Sequence, residues 1–241
     1  MSIAQNIAAL RSRIAAAARR AGRPPEAIAL MAVSKTVTPA AIREAYEAGL
    51  RLFGESRVQE LARKAEALRD LPDAEWHMIG HLQANKSNKA AELFAAVDSI
   101  DSLRLAQRLN VSASHLGKKV AVLLEINVGG EAAKSGLARR SPELDEILRA
   151  APAFENLEVR GLMTVPPFTD DSNGARPYFR ELRELQSELQ RKIAALGLPG
   201  VEMTQLSMGM SHDFEVAIEE GSTCVRVGTA IFGERTITLE G

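Results

Sequence analysis

A regular alternation of short apolar segments with helical segments is the feature that most constrains the fold of this chain. Eight segments rich in Val, Ile, Leu and Met read as strands, and no hairpin signal or long linker separates them. Alternating strands and helices favour a parallel sheet with right-handed crossovers. Eight such units in 241 residues therefore predict one α/β domain, a (β/α)8 TIM barrel over residues 1–241.

The predicted elements follow one another closely along the chain. Strands are predicted at Ile28–Val33, Leu52–Gly54, Trp76–Ile79, Ala95–Val97, Val120–Val128, Val159–Met163, Thr204–Ser207 and Thr223–Val227. Helices are predicted at Pro39–Ala48, Ser56–Leu68, Ser87–Leu93, Asp101–Leu116, Ala175–Leu196 and Asp213–Glu219, with a further one starting at Ser141. Ile3, Ile7 and Leu10 recur at helical spacing before the first strand, so an extra N-terminal helix is expected to pack on the barrel.

A doubly wound open sheet is the alternative architecture. That fold carries a Gly-x-Gly-x-x-Gly turn after its first strand, where the turn approaches a dinucleotide. In this chain Ser34-Lys35-Thr36 occupies the position, and the glycines are missing. The closed barrel is therefore the expected fold.

The composition excludes several classes of function. The 30 basic and 31 acidic residues give a net charge of −1, so the overall charge does not attract nucleic acid. No apolar run is long enough to cross a membrane. Cys224 is the only cysteine, which excludes an internal disulfide and a zinc cluster of several thiolates, and indicates a reducing cytoplasm.

A single lysine, Lys35, follows the first predicted strand. The chemistry of such barrels takes place at the carboxyl ends of the strands. The Lys35 amine is therefore a candidate for a Schiff base with a carbonyl compound, above all pyridoxal 5'-phosphate (PLP). The alternative is a surface lysine that merely ends a strand.

The loops after the seventh and eighth strands are candidates for phosphate binding, because this fold places phosphates there. Both loops are rich in small residues that let backbone N–H groups approach an anion. Ser207 is expected to add a hydroxyl, and Gly228 and Thr229 are expected to add backbone amides. The alternative is that these are tight turns punctuated by glycine.

Arg226 lies inside the last predicted strand, between Val225 and Val227. The two valines share one face of the strand, so Arg226 points to the other face, where a buried guanidinium needs a hydrogen-bond acceptor. That acceptor is either a buried carboxylate, with Glu125 and Glu55 as candidates, or the pyridine nitrogen of PLP. Arginine there would keep the nitrogen unprotonated, because a guanidinium donates hydrogen bonds without giving up its proton.

Longer stretches carry a family resemblance that covers about residues 3 to 235. They are Phe53–Glu60 (FGESRVQE), Trp76–Lys86, Ile126–Val128, Lys134–Gly136, Gly161–Met163, Leu206–Ser211 and Val225–Arg235. In combination they resemble the pyridoxal phosphate homeostasis protein family, whose barrel is that of alanine racemase, the third PLP fold type. Ser56 and Arg57 depart from the family pattern, which usually has Asn and Tyr at these positions.

The resemblance implies a barrel that holds PLP as a Schiff base on Lys35, with Arg226 at the pyridine nitrogen. It implies Ser207, Gly228 and Thr229 at the phosphate, and Ser56 and Met208 near the cofactor. It further implies a cytoplasmic protein, often monomeric, that takes part in vitamin B6 homeostasis and supplies PLP to apo-enzymes. Lys134 is a further lysine that could approach the mouth, although a surface position is the simpler expectation.

An amino-acid racemase using PLP is the alternative function. Racemisation needs a proton acceptor on each face of the substrate carbon. In alanine racemases the second acceptor comes from a C-terminal β-domain, which this chain is expected to lack. Tyr46 and Tyr178 are predicted on outer helices, so the carrier function is favoured. An aldolase using Lys35 without PLP is weakened by Arg226 and the paired phosphate loops.

His77 and His81 have the spacing of a helical metal site. Their segment is predicted as a strand that ends at Gly80, so the two rings are not expected to converge. We expect no metal site, and we expect His77 to be a hydrogen-bonded interior residue.

Overall fold

The computed structural model describes residues 1–131 and 135–233, and their strands form a closed parallel barrel in chain order. The strands are β1 (Ala29–Val33), β2 (Leu52–Glu55), β3 (Glu75–Met78), β4 (Ala96–Ile100), β5 (Val120–Glu125), β6 (Leu157–Met163), β7 (Val201–Ser207) and β8 (Cys224–Val227). The helices are α1 (Ile3–Arg20), α2 (Pro39–Glu47), α3 (Val58–Lys64), α4 (Ser87–Leu93), α5 (Leu103–His115), α6 (Pro142–Ala150), α7 (Arg176–Leu196), α8 (Phe214–Glu219) and α9 (Thr229–Phe232). The predicted TIM barrel is confirmed, and the open sheet is excluded.

The barrel closes at β1, which pairs with β2 on one side and with β8 on the other. Ala32 lies opposite Phe53 of β2, and Met31 lies opposite Arg226 of β8. This closure joins the first and last strands of the described chain, so the loops that follow β1 and β8 become neighbours.

The extra N-terminal helix is confirmed as α1. Ser2 and Gln5 form a reciprocal capping box at its start, in which each side chain accepts a hydrogen bond from the other residue's N–H. Ile7, Leu10 and Ile14 are buried in a cluster with residues of α2, α8 and α9. Each of these burials contributes roughly 1.5–3 kcal/mol to stability.

Two hydrophobic layers separate the strands from the helices. One lies between β3–β7 and the surrounding helices, and the other lies between α1, α2 and α9 and the strands β1, β2 and β8. No helix among the described residues combines the length and the apolar character needed to cross a membrane.

Several strand boundaries differ from the predictions, among them the ends of β4 and β5. β4 continues beyond its predicted end at Val97, because Asp98 and Ser99 are buried and hydrogen-bonded rather than exposed. β5 ends at Glu125 instead of Val128, since the chain turns away and Ile126 keeps only an isolated bridge. The pattern of apolar residues in the sequence does not predict where β4 and β5 end.

A charged cluster lies in the barrel interior near the amino ends of the strands, beside a cavity of about 310 Å³. His77 Nδ1 is 3.0 Å from Asp98 Oδ1, and His77 Nε2 is 3.1 Å from Glu75 Oε1. Burial lowers the pKa of His77, but the charges and hydrogen bonds of Asp98 and Glu75 outweigh burial and raise that pKa to about 9. His77 is therefore a hydrogen-bonded interior residue, as expected.

His81 does not share these partners, because its Nδ1 is 2.9 Å from Asp101 Oδ2. The rings of His77 and His81 thus contact different carboxylates. Among the described residues, no group of three or more His, Cys, Asp and Glu side chains is arranged to hold a metal ion.

We predict that His77→Gln destabilises the protein in a pH-dependent manner. The folded-state pKa of about 9 lies above the ordinary value of 6.5, so the stabilisation by charged His77 is complete below pH 6.5 and is lost as the pH rises towards 9. The difference in Tm between wild type and variant should therefore be largest at pH 6 and shrink by pH 9.5, as measured by circular dichroism. His115→Gln, at the exposed end of α5, is the control. A difference in Tm that does not change with pH would contradict the stabilisation by charged His77.

Candidate cofactor-binding site

Lys35 lies two residues after the end of β1, at the carboxyl-terminal end of the barrel, and it is half-buried. The following loop is short because Thr38 caps α2, accepting a hydrogen bond from the N–H of Ala41 at 3.3 Å. Pro39 occupies the first position of that helix. The strand and the capped helix together fix both ends of the segment that carries Lys35.

The loop after β8 lies directly beside the end of β1. Ala32 pairs with Val227, which places Gly228 next to Val33, and a Cβ at Gly228 would lie 3.4 Å from the carbonyl oxygen of Val33. α9 begins at Thr229, so its first N–H groups have no acceptor within the helix. None of the hydrogen bonds between described residues uses the N–H of Thr229. Such N–H groups can bind a phosphate.

Arg226 points into the barrel, while Val225 and Val227 face the helix layer. Its Nη1 donates to Ser207 Oγ at 2.9 Å, and its Nη2 donates to the carbonyl oxygen of Thr164 at 2.7 Å. Burial lowers the pKa of Arg226, against the opposing effect of surrounding acidic groups. A guanidinium still keeps its charge in a protein.

Among the described residues, neither Glu55 nor Glu125 is a hydrogen-bond partner of Arg226. Glu55 bonds to Lys64 and Ser34 instead, and Glu125 Oε1 accepts from Ser135 Oγ at 3.0 Å. Glu125 acts on Arg226 only through its charge. Arg226 has no salt bridge within the described part of the chain, which leaves a buried positive charge below the carboxyl-terminal mouth.

Ser207 and Met208 are both fully buried at the end of β7. The Ser207 hydroxyl lies inside the barrel, where it accepts the hydrogen bond from Arg226. The Met208 side chain belongs to the hydrophobic layer, and its N–H and carbonyl bond to Cys224 and Ser222. Ser207 is therefore tied to Arg226, and Met208 fixes the course of the loop.

Ser56 follows β2 and lines a groove of about 600 Å³ at the rim of the mouth. A Cβ at Gly80 would lie 2.4 Å from the Ser56 carbonyl oxygen, so the loop after β3 approaches only because this residue is glycine. The same groove is lined by cationic side chains, those of Arg57, Arg63 and Lys86. The rim beside Ser56 is therefore positively charged.

Lys64, which was not among the predicted site residues, is buried beside the Lys35 segment. Its Nζ donates to the Ser34 carbonyl oxygen at 2.8 Å, to Glu55 Oε1 at 2.8 Å and to Glu60 Oε1 at 2.7 Å. Glu60 and Lys64 are four residues apart in the predicted helix, and this spacing is the signal that could have revealed the pair. Lys134 lies outside the described residues.

Comparison with known families places the whole chain in one group. The family model described as alanine racemase, N-terminal domain, matches residues 5–236. The pyridoxal phosphate homeostasis protein of Aquifex aeolicus is 46% identical over 236 residues, covering 98% of this chain and 99% of the relative. The protein of the same name from Pseudomonas aeruginosa is 46% identical, covering 97% of this chain and 96% of the relative.

Solved structures agree with this assignment. PipY of Synechococcus elongatus, solved with PLP bound, has a TM-score of 0.82 and 39% identity, covering 96% of this chain and 100% of PipY. An alanine racemase of Clostridium difficile has a TM-score of 0.67 at 16% identity; it covers 98% of this chain but 57% of the racemase, so it shows the fold alone. The resemblance predicted from the motifs is confirmed: the chain belongs to the pyridoxal phosphate homeostasis protein family.

Proposed function

We propose that this protein binds PLP as a Schiff base on Lys35 and takes part in vitamin B6 homeostasis. The observation that carries the proposal is the adjacency of three groups at one end of the barrel. Lys35 follows β1, the unused N–H of Thr229 follows the neighbouring strand β8, and the Arg226 charge lies below them. The names of the relatives and the PLP in PipY support the same cofactor.

The residues fit the chemical groups of PLP one by one. PLP supplies an aldehyde that reacts with amines and a pyridine ring that withdraws electrons. We assign the Lys35 amine to the aldehyde, and the amides of Gly228 and Thr229 to the phosphate. The sequence predicts Ser207 at the phosphate; because its hydroxyl accepts a hydrogen bond from Arg226, we assign it instead to holding Arg226. Ser56, shorter than the usual Asn, is assigned to the ring through a bridging water.

Arg226 is assigned to the pyridine nitrogen, as a donor that retains its proton. Two of its N–H groups are used by Ser207 and Thr164, and a guanidinium carries five. A ring nitrogen that stays unprotonated makes the cofactor a weak electron acceptor. This property suits storage and release of PLP better than catalysis through a carbanion.

We further propose that the protein is a carrier rather than an enzyme. The name shared by its relatives supports this role. The two tyrosines of the chain, Tyr46 and Tyr178, lie on the outer helices α2 and α7. Tyr46 lies in the last turn of α2, where the guanidinium of Arg51 is 3.8 Å from its ring centroid, and Tyr178 packs on the hydrophobic layer. Neither is placed to serve as a second proton acceptor.

In this proposal the chain acts as one cofactor-binding domain and as a monomer that supplies PLP to apo-enzymes in the cytoplasm. The half-buried position of Lys35 supports transfer, because an acceptor can reach the mouth. The single cysteine, Cys224, supports a reducing compartment, where disulfides are rare.

We predict that Lys35→Ala abolishes the visible absorbance of the Schiff base when the purified protein is mixed with PLP. The reason is that the covalent bond needs this amine. Lys89→Ala, an exposed lysine on α4, is the matched control and should retain the band. An unchanged band in Lys35→Ala would contradict the assignment of the site.

We predict that Arg226→Gln weakens PLP binding by roughly ten- to a hundredfold, since a hydrogen bond from a charged donor contributes about 1.5–3 kcal/mol. The absorption maximum should also shift, because the electronic state of the ring changes. Titration of PLP followed by absorbance measures both effects. Arg160→Gln, at the opposite end of the barrel interior, is the control and should bind PLP normally.

We predict that the PLP-loaded protein does not exchange amino-acid α-protons in heavy water faster than free PLP does, as followed by NMR. A carrier has no need of a second proton acceptor, whereas a racemase exchanges the α-proton of its substrate. Rapid exchange of the α-proton of one amino acid, with decay of its optical rotation, would support the racemase alternative instead.

A further inference from the structure

The backbone on both sides of Lys35 is held by charged side chains. The Ser34 carbonyl oxygen accepts a hydrogen bond from Lys64 Nζ at 2.8 Å. The Thr36 N–H donates to Glu60 Oε1. Glu60 and Lys64 also form an ion pair of 2.7 Å within α3. The residue before and the residue after Lys35 are thus fixed by one pair of side chains.

Thr36 has a backbone conformation that needs such support. Its φ of 64° lies in the left-handed region, and it is the only residue other than glycine with positive φ in the described part of the chain. A side chain with a Cβ is disfavoured there, whereas glycine adopts the conformation readily. The bond from the Thr36 N–H to Glu60 offsets this cost.

Glu55 connects Lys64 and Ser34 to the barrel. Glu55 at the end of β2 is fully buried, and its Oε1 accepts hydrogen bonds from Lys64 Nζ and Ser34 Oγ, both at 2.8 Å. Lys64 is only 8% exposed. Because both charges are buried and paired, the Lys64 ammonium has little freedom to move.

The side chains of Ser34, Glu55 and Lys64 lie on the side of β1 that faces away from the barrel interior. Ala32 packs in the helix layer, and side chains alternate along a strand, so Ser34 faces the same layer. Lys35 follows in a turn at the carboxyl-terminal end of the strand. Glu60 and Lys64 therefore hold the backbone on either side of Lys35 from the helix layer.

We propose that Glu60 and Lys64 are positioning residues that set the conformation of the Lys35 segment, an inference that rests on the proposed PLP site. We name this arrangement of Glu60, Lys64, Ser34 and Thr36 the backbone clamp. The clamp holds the amine of Lys35 within reach of a cofactor whose phosphate is bound at the loop after β8. An ion pair that only stabilises α3 does not require hydrogen bonds to the residues on both sides of Lys35.

The test is the equilibrium titration of purified full-length variants with PLP, followed by the Schiff-base absorbance. Glu60→Ala, whose side chain is only partly buried, is expected to weaken apparent affinity about tenfold, the effect of losing one charged hydrogen bond. Lys64→Met is expected to weaken it at least as much. Lys89→Met, which removes an exposed Lys–Glu pair from α4, is the matched control and should bind normally.

A Thr36→Gly background separates positioning from general stability. Glycine accepts the left-handed conformation without the Glu60 bond. The loss of PLP affinity caused by Glu60→Ala should therefore be at least threefold smaller in this background than in wild type. On a free-energy scale, about half of the effect of Glu60→Ala should remain. A structural role of the ion pair alone would give the same loss in both backgrounds and would overturn the clamp.

The two proposals fail in different ways. No Schiff-base band in the wild-type protein would overturn the proposed function, and the clamp with it. A normal wild-type band with unchanged affinity in Glu60→Ala, in a protein of native circular dichroism, would overturn the clamp alone. Amide hydrogen exchange of Thr36 in PLP-free protein is a second readout, and it should be faster in Glu60→Ala than in wild type.

Discussion

The parallel pairing of β1 with β8 is the contact on which the candidate site depends. It closes the barrel, and it brings the loop after the last strand beside the segment that follows the first. Lys35 and Thr229 are far apart along the chain, and this pairing brings the strands that precede them side by side. The register that aligns Ala32 with Val227 also places Gly228 against Val33, where a larger residue would crowd the strand.

Charge is distributed unevenly along the barrel interior. Near the amino ends of the strands, His77 is paired with Asp98 and Glu75, so its charge is compensated within the protein. Nearer the mouth, Arg226 bonds only to neutral oxygens of Ser207 and Thr164 among the described residues. The first arrangement pairs a charged ring with carboxylates, whereas the second leaves a buried guanidinium without a carboxylate hydrogen-bond partner, which is the basis for its proposed role.

Side chains alternate between the two faces of β1, and those on the outer face hold the backbone beside Lys35. On the outer face, Ser34 is tied to Glu55 and Lys64 in the helix layer. The bonds that hold the backbone beside Lys35 are therefore formed on the outer side of the strand, away from the barrel interior.

The sequence by itself determined the order of strands and helices, the extra first helix and the positions of Lys35 and Arg226 relative to their strands. These follow from local patterns of apolarity, capping and alternation, which act over a few residues. Its motifs also identified the family, since short segments of defined spacing were sufficient for the resemblance.

Only the tertiary structure decided which side chains meet. The partners of Arg226 within the described chain are Ser207 and Thr164 rather than a carboxylate, which was one of the two alternatives from the sequence, because strand register and burial select them. The burial of Lys64, the left-handed conformation of Thr36 and the length of β4 were equally hidden. Contacts between residues distant along the chain arise from barrel closure and helix packing, and no local pattern specifies them.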